Sequence, residues 1–112
     1  MSKSYDLEER TFTFAKNVRD YVKDLSRTMS NIEYGKQLVR SSASVAANYI
    51  EANESLSKKD FFMRIKICKK ESKESGLWLK LAETKNESAR EKLLDESLEL
   101  VKIFSTIVKS SL

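Results

Sequence analysis

The sequence predicts an all-α fold, an antiparallel up-down-up-down four-helix bundle forming one domain over residues 1–112. Three observations carry this. First, there is no proline and there are only two glycines, Gly35 and Gly76, so the turn residues that punctuate strands are mostly missing. Second, apolar residues recur by threes and fours over long stretches, the period of a helix with one buried face. Third, three evenly spaced joints each place a hydroxyl three residues before a carboxylate: Ser30 to Glu33, Ser57 to Asp60 and Thr84 to Glu87. Such a hydroxyl satisfies an orphan backbone N–H, and the carboxylate favours the positive start of a helix. The joints cut the chain into helices near 6–28, 31–56, 58–84 and 87–111. Short joints make neighbours antiparallel, and 112 residues suit a single core.

In helix 1 the spacing predicts burial of Phe14 or Ala15, Val18, Tyr21 or Val22, Leu25 and Met29. Helix 2 carries a polar stripe at core-like spacing: Gln37, Arg40, Ser44, Asn48 and Glu51. Apolar residues flank it on both sides, Leu38, Val45 and Tyr49 on one and Val39, Ala43, Ala46 and Ile50 on the other. Polar groups so placed are partly buried and need partners. With the following turn near Leu56–Ser57, Arg40 lies level with Glu74. Ser44 falls level with Lys70. This predicts a polar seam of Arg40, Ser44, Asn48, Glu71 and Glu74 in which Arg40 pairs with Glu74 or Glu71 and Asn48 is hydrogen-bonded rather than solvated.

Helix 3 has three faces. Phe61, Ile65, Cys68, Ser72, Ser75, Leu79 and Ala82 form the core stripe. Ile67, Glu71, Glu74, Trp78 and Leu81 form a second face. Lys59, Lys66, Lys69, Lys70, Lys73 and Lys80 fall within an arc of roughly 100°. In helix 4 the predicted core is Leu94, Leu98, Val101, Phe104 and Val108, with Leu93, Leu100, Ile103 and Ile107 on a neighbouring arc. That apolar surface is wider than one bundle core needs. The expectation is a subunit interface made by Ile67, Trp78 and Leu81 of helix 3 with Leu93, Leu100, Ile103 and Ile107 of helix 4.

Composition excludes much chemistry. Histidine is absent, which removes Ser-His and Cys-His pairs, histidine metal ligands and the Glu-x-x-His motif of carboxylate-bridged di-metal bundles. Ser55-Leu56-Ser57-Lys58 matches Ser-x-x-Lys, but at a joint and without its companion motifs. No catalytic residue, no metal and no cofactor are expected, and the chain reads as non-enzymatic. No apolar run reaches the ~20 residues that span a bilayer, and the start lacks an apolar signal core. The lone Cys68 agrees with a reducing compartment. A cytoplasmic protein with no membrane partner is expected.

Net charge is +4, and its placement matters more. Residues 58–85 hold nine basic and four acidic side chains, so the surplus sits on helix 3 and mostly on one arc. In a symmetric oligomer that arc becomes a ring of positive potential. Phe62 and Leu77 share it, where an apolar contact fits. Two readings follow: weak, non-specific contact with RNA or DNA phosphates through the six lysines, or a scaffold whose lysines keep it soluble.

Two stretches resemble a known family. Gln37-Leu38-Val39-Arg40-Ser41-Ser42-Ala43-Ser44-Val45-Ala46-Ala47-Asn48-Tyr49-Ile50-Glu51-Ala52 is similar to the helix 2 motif of the four-helix-bundle proteins related to the 23S ribosomal RNA intervening-sequence proteins. Asp60-Phe61-Phe62, Lys70-Glu71, Glu74-Ser75 and Trp78-Leu79 resemble that family's helix 3 motif. The family often has proline at the position of Ala46, glycine at that of Ala52 and a larger residue at that of Gly76. The resemblance implies a non-enzymatic bundle assembling as a homopentameric ring. A relative, the accessory protein of diversity-generating retroelements, binds nucleic acid and a reverse transcriptase. By analogy, a nucleic acid and a partner protein are expected partners here.

Overall fold

The computed structural model describes residues 3–111, with side chains from residue 7 onward. Four helices follow one another: α1 Lys3–Lys23, α2 Met29–Asn53, α3 Lys58–Leu81 and α4 Glu87–Lys109. No strand occurs among the described residues. Each helix packs on its neighbours in the chain, α2 against α3 most closely, and α1 meets α4 most loosely. Short turns leave no other arrangement, and an up-down-up-down bundle results. No helix among the described residues is long and apolar enough to cross a membrane.

The helices end earlier than the joints predict. The N-cap of α2 is Thr28, whose hydroxyl accepts from Asn31 N at 3.1 Å, so Ser30 lies inside the helix. α3 is capped by Ser57 as expected, accepting from Asp60 N. The cap of α4 is Asn86, accepting from Ala89 N, while Thr84 Oγ1 accepts from Asn86 N at 2.9 Å. In both corrected joints two residues of capping type stand two positions apart, and spacing alone cannot choose between them.

Moving the first cap gives Asn31 a different task. Its side chain is buried. Nδ2 donates to Ser26 O and Glu83 O, and Oδ1 accepts from Glu83 N, all at 2.9–3.0 Å. One amide thus ties the α1–α2 turn to the α3–α4 turn across the end of the bundle. Arg90 Nη2 adds a 2.7 Å bond to Ala82 O at the same end.

The core contains Phe14, Val18, Tyr21 and Leu25 from α1 and its turn, Leu38, Val45, Tyr49 and Ala52 from α2, Ile65, Cys68 and Leu79 from α3, and Phe104 from α4. Phe61 packs against it, half-buried. Met29 does not join it; it is 87% exposed at the start of α2. Leu7 and Thr11 are also buried on α1, extending the stripe toward the helix start from Phe14.

Helix 4 is rotated relative to the expectation. Leu93, Ser97, Leu100 and Phe104 face the core, Leu98 is 50% exposed, and Leu94, Val101 and Val108 are half-buried. Both stripes step by threes and fours, and Ser97 disguises the true one. The small pair Gly76 and Ser97 selects it. A Cβ added to Gly76 would lie 3.3 Å from Ser97 Oγ, so α3 and α4 meet at this point only with Ser97 turned inward. Leu93 and Leu100 therefore belong to the core rather than to a subunit interface, and Ile103 and Ile107 pack on its edge.

Two predictions follow from this packing. Asn31→Ala removes three bonds and leaves the Glu83 backbone unpaired. It should cost about 2–3 kcal/mol at roughly 1 kcal/mol per bond, seen as a lower urea midpoint with an unchanged slope. Cys68 is buried among apolar side chains, which pushes its thiol up to about 12 from 9.0. The sign is that of a raised folded value. The stabilisation is complete below pH 9 and is lost as pH climbs toward 12. A disulfide-exchange reagent should label Cys68 at neutral pH only at the rate of unfolding, and rapid native-state labelling would contradict its burial.

Candidate nucleic-acid interface

The geometry starts from the α2–α3 seam. Ser41 Oγ and Ser75 Oγ lie 2.8 Å apart in its buried centre. Serine is small enough to let two helices approach this closely, and each hydroxyl also donates to a carbonyl or to the other serine: Ser41 is 3.3 Å from Leu38 O and Ser75 2.9 Å from Glu71 O. Just outside lies Arg40. Its Nη1 donates to Glu71 Oε2 and its Nη2 to Glu74 Oε1, each at 3.2 Å, while Nε donates to Gln37 Oε1. One guanidinium thus bridges two carboxylates one helical turn apart.

Further along, Asn48 Nδ2 donates to Ser44 O and Ser44 Oγ, and Asn48 Oδ1 accepts from Arg64 Nη1 at 3.1 Å. The seam therefore brings together Arg40, Glu71 and Glu74 in one cluster and Ser44, Asn48 and Arg64 in another. Arg64 was missed in the sequence. The signal was there: Arg64, Glu71 and Trp78 recur every seven residues on the flank of α3 that faces α2. Trp78 stacks on Tyr34 with ring centroids 6.0 Å apart, and Ile67 is half-buried. Of the side chains expected at an interface, Leu81 alone is exposed, at 43%.

The seam has an electrostatic consequence for the rest of α3. Helical periodicity puts Glu71 and Glu74 on one flank, and Arg40 neutralises them there. The six lysines remain on the opposite flank. Lys59, Lys66, Lys70, Lys73 and Lys80 are exposed and Lys69 is half-buried. None of them takes part in an ion pair among the described residues. Lys59, Lys66, Lys73 and Lys80 step by seven, so at about 1.5 Å per residue they form a row roughly 31 Å long. Leu77, at 47%, and Met63, at 47%, are exposed on the same helix, and Leu98 is exposed on α4.

At the α3 start the row runs into a cleft of about 510 Å³ lined by Ser57, Lys59, Asp60, Phe62, Met63, Lys66 and Ser111. The Phe62 ring meets Phe61 edge to face, with centroids 5.1 Å apart and planes at 80°. Among the described residues no group of acidic or cysteine side chains could hold a metal ion.

Arg40→Ala tests the seam. Glu71 is buried and its Oε1 has no hydrogen-bond partner among the described residues, so the guanidinium is its compensation. Because Arg40 itself is half exposed, the cost is smaller than for a fully buried pair, about 1–3 kcal/mol. Adding Glu71→Gln should return part of it, and a double-mutant cycle by urea unfolding measures the coupling.

The profile of the 23S rRNA-intervening sequence protein family matches residues 3–109. No curated protein matches the chain. Among solved structures, the chain is similar to a protein of unknown function from the S23 ribosomal protein family of Bacteroides thetaiotaomicron. That likeness has 28% identity and a TM-score of 0.82, covering 92% of this chain and 98% of the other. With a bundle of the expected topology and a family match running through all four helices, this chain belongs to the 23S rRNA-intervening sequence protein family.

Proposed function

We propose that this protein is a non-enzymatic, cytoplasmic, homo-oligomeric accessory protein that contacts nucleic-acid phosphates through the lysine row of α3. The observation that carries this reading is the separation of charge on one helix. Arg40 neutralises Glu71 and Glu74 on one flank, and six lysines with no ion-pair partner among the described residues occupy the other. Lysines alone read charge and not sequence, so binding is non-specific. Release of condensed counterions makes it fall steeply with salt.

Assembly would multiply the row. Ile32, Val39 and Ile50 of α2 are 37–49% exposed and recur on one face, with Phe12 of α1 at 63%. Leu77 and Leu81, four residues apart, give α3 a second exposed apolar face. Two unlike apolar surfaces suit a head-to-tail contact, which closes into a ring when the rotation permits. Five copies is the number the family resemblance implies, and a partner protein could be held by whichever surface the ring leaves free.

Labelled RNA and DNA, titrated at two salt concentrations with light scattering on the same samples, test the proposal. Parent protein should be oligomeric and bind at low salt, with a loss of at least tenfold at the higher salt, and a Lys66/Lys69/Lys73→Glu variant should keep the assembly and lose binding. No binding at low salt, or equal binding by the variant, would leave a scaffold that holds proteins only.

A further inference from the structure

We propose that the cleft at the α3 start takes an unstacked base, so that the lysine row selects single-stranded over double-stranded nucleic acid. The inference rests on the phosphate-contact reading above and adds the kind of strand. A row of lysines alone would accept either. The cleft is what differs: at about 510 Å³ it is a concavity on the row itself, with apolar walls from Phe62 and Met63 between Lys59 and Lys66. A duplex keeps the faces of its bases stacked inside, whereas a single strand can turn a base outward onto an aromatic ring.

Phe62 suits that task. Its edge-to-face contact with Phe61 fixes the ring, and Phe61 is itself packed against the core. The platform is therefore anchored while its outer side lines the cleft. Lys59 and Lys66 are one seven-residue step apart, about 10 Å along the helix, and flank the ring to hold phosphates on either side of the inserted base. Asp60, half-buried in the same cleft, repels a phosphate and accepts from an exocyclic amino group. It thus orients the base inward and the backbone outward. Its own backbone N–H is already bonded to Ser57 Oγ.

The test compares a single-stranded 12-mer carrying 2-aminopurine with the duplex of the same sequence, at one low salt concentration. The proteins are the parent, Phe62→Ala and Phe62→Leu; the leucine variant keeps apolar volume and removes the ring. The single strand should bind the parent about tenfold tighter than the duplex and show quenched 2-aminopurine fluorescence. Both variants should weaken single-strand binding about five- to hundredfold, the range one base–aromatic stack supplies, with duplex binding unchanged. Phe62→Leu should melt like the parent, which separates loss of the platform from loss of fold. Equal affinity for duplex and single strand, or variants that weaken neither or both alike, overturns base insertion and leaves the phosphate contact standing. Absence of binding by the parent to either probe overturns both.

Discussion

Everything distinctive about this bundle depends on how closely α2 approaches α3. Ser41 and Ser75 touch at 2.8 Å, and Ser42 and Ser72 are also buried and bonded to carbonyls of their own helices. Small side chains at a helix contact gain little apolar burial each, yet they let two backbones come together with larger residues above and below. The polar stripe on α2 is then trapped at the seam margin rather than left in water. Arg40, Ser44 and Asn48 must find partners there, and Glu71, Glu74 and Arg64 of α3 provide them. A wider separation would leave these groups solvated, and Glu71 and Glu74 would lose the guanidinium that neutralises them.

The opposite flank follows from this. With Glu71 and Glu74 committed to α2, α3 turns its lysines toward solvent. On the other side α4 is rotated to put Ser97 against Gly76, which carries Leu98 out of the core to the surface. The same rotation takes Leu93 and Leu100 into the core. Core formation and the surface available for contacts are thus two results of one helix rotation.

How much of this was legible in the sequence depends on whether a residue declares its environment by type. The seam was legible because polar residues at core spacing, flanked by apolar ones, have few physical solutions, and Arg40 could be placed level with Glu74 by counting from the turn. The lysine arc was legible because periodicity alone puts those side chains on one face. Helix 4 was not, because two apolar stripes of equal spacing compete and the deciding contact involves a serine and a glycine that carry no hydropathy signal. Asn31 was also hidden, since an asparagine at a helix start reads as part of a cap, and its partner, the backbone of Glu83, lies 52 residues away. The cleft beside Phe62 needs Ser111 brought back from the far end of the chain, which only the closed bundle does.

The two ends of the bundle are not equivalent. At one, Asn31 and Arg90 lash separate turns together with side-chain bonds to backbone. At the other, the α2–α3 turn has Leu56 wholly exposed and α4 finishes in Ser110 and Ser111, whose bonds are all local. Local opening draws on the region with the fewest long-range bonds. Amide hydrogens should therefore exchange with solvent in a gradient along the 44 Å axis, slowest at the lashed end and fastest at the other. The lysine row begins at the less tied end and runs toward the lashed one, so a ligand lying along it would span from one kind of bundle end to the other.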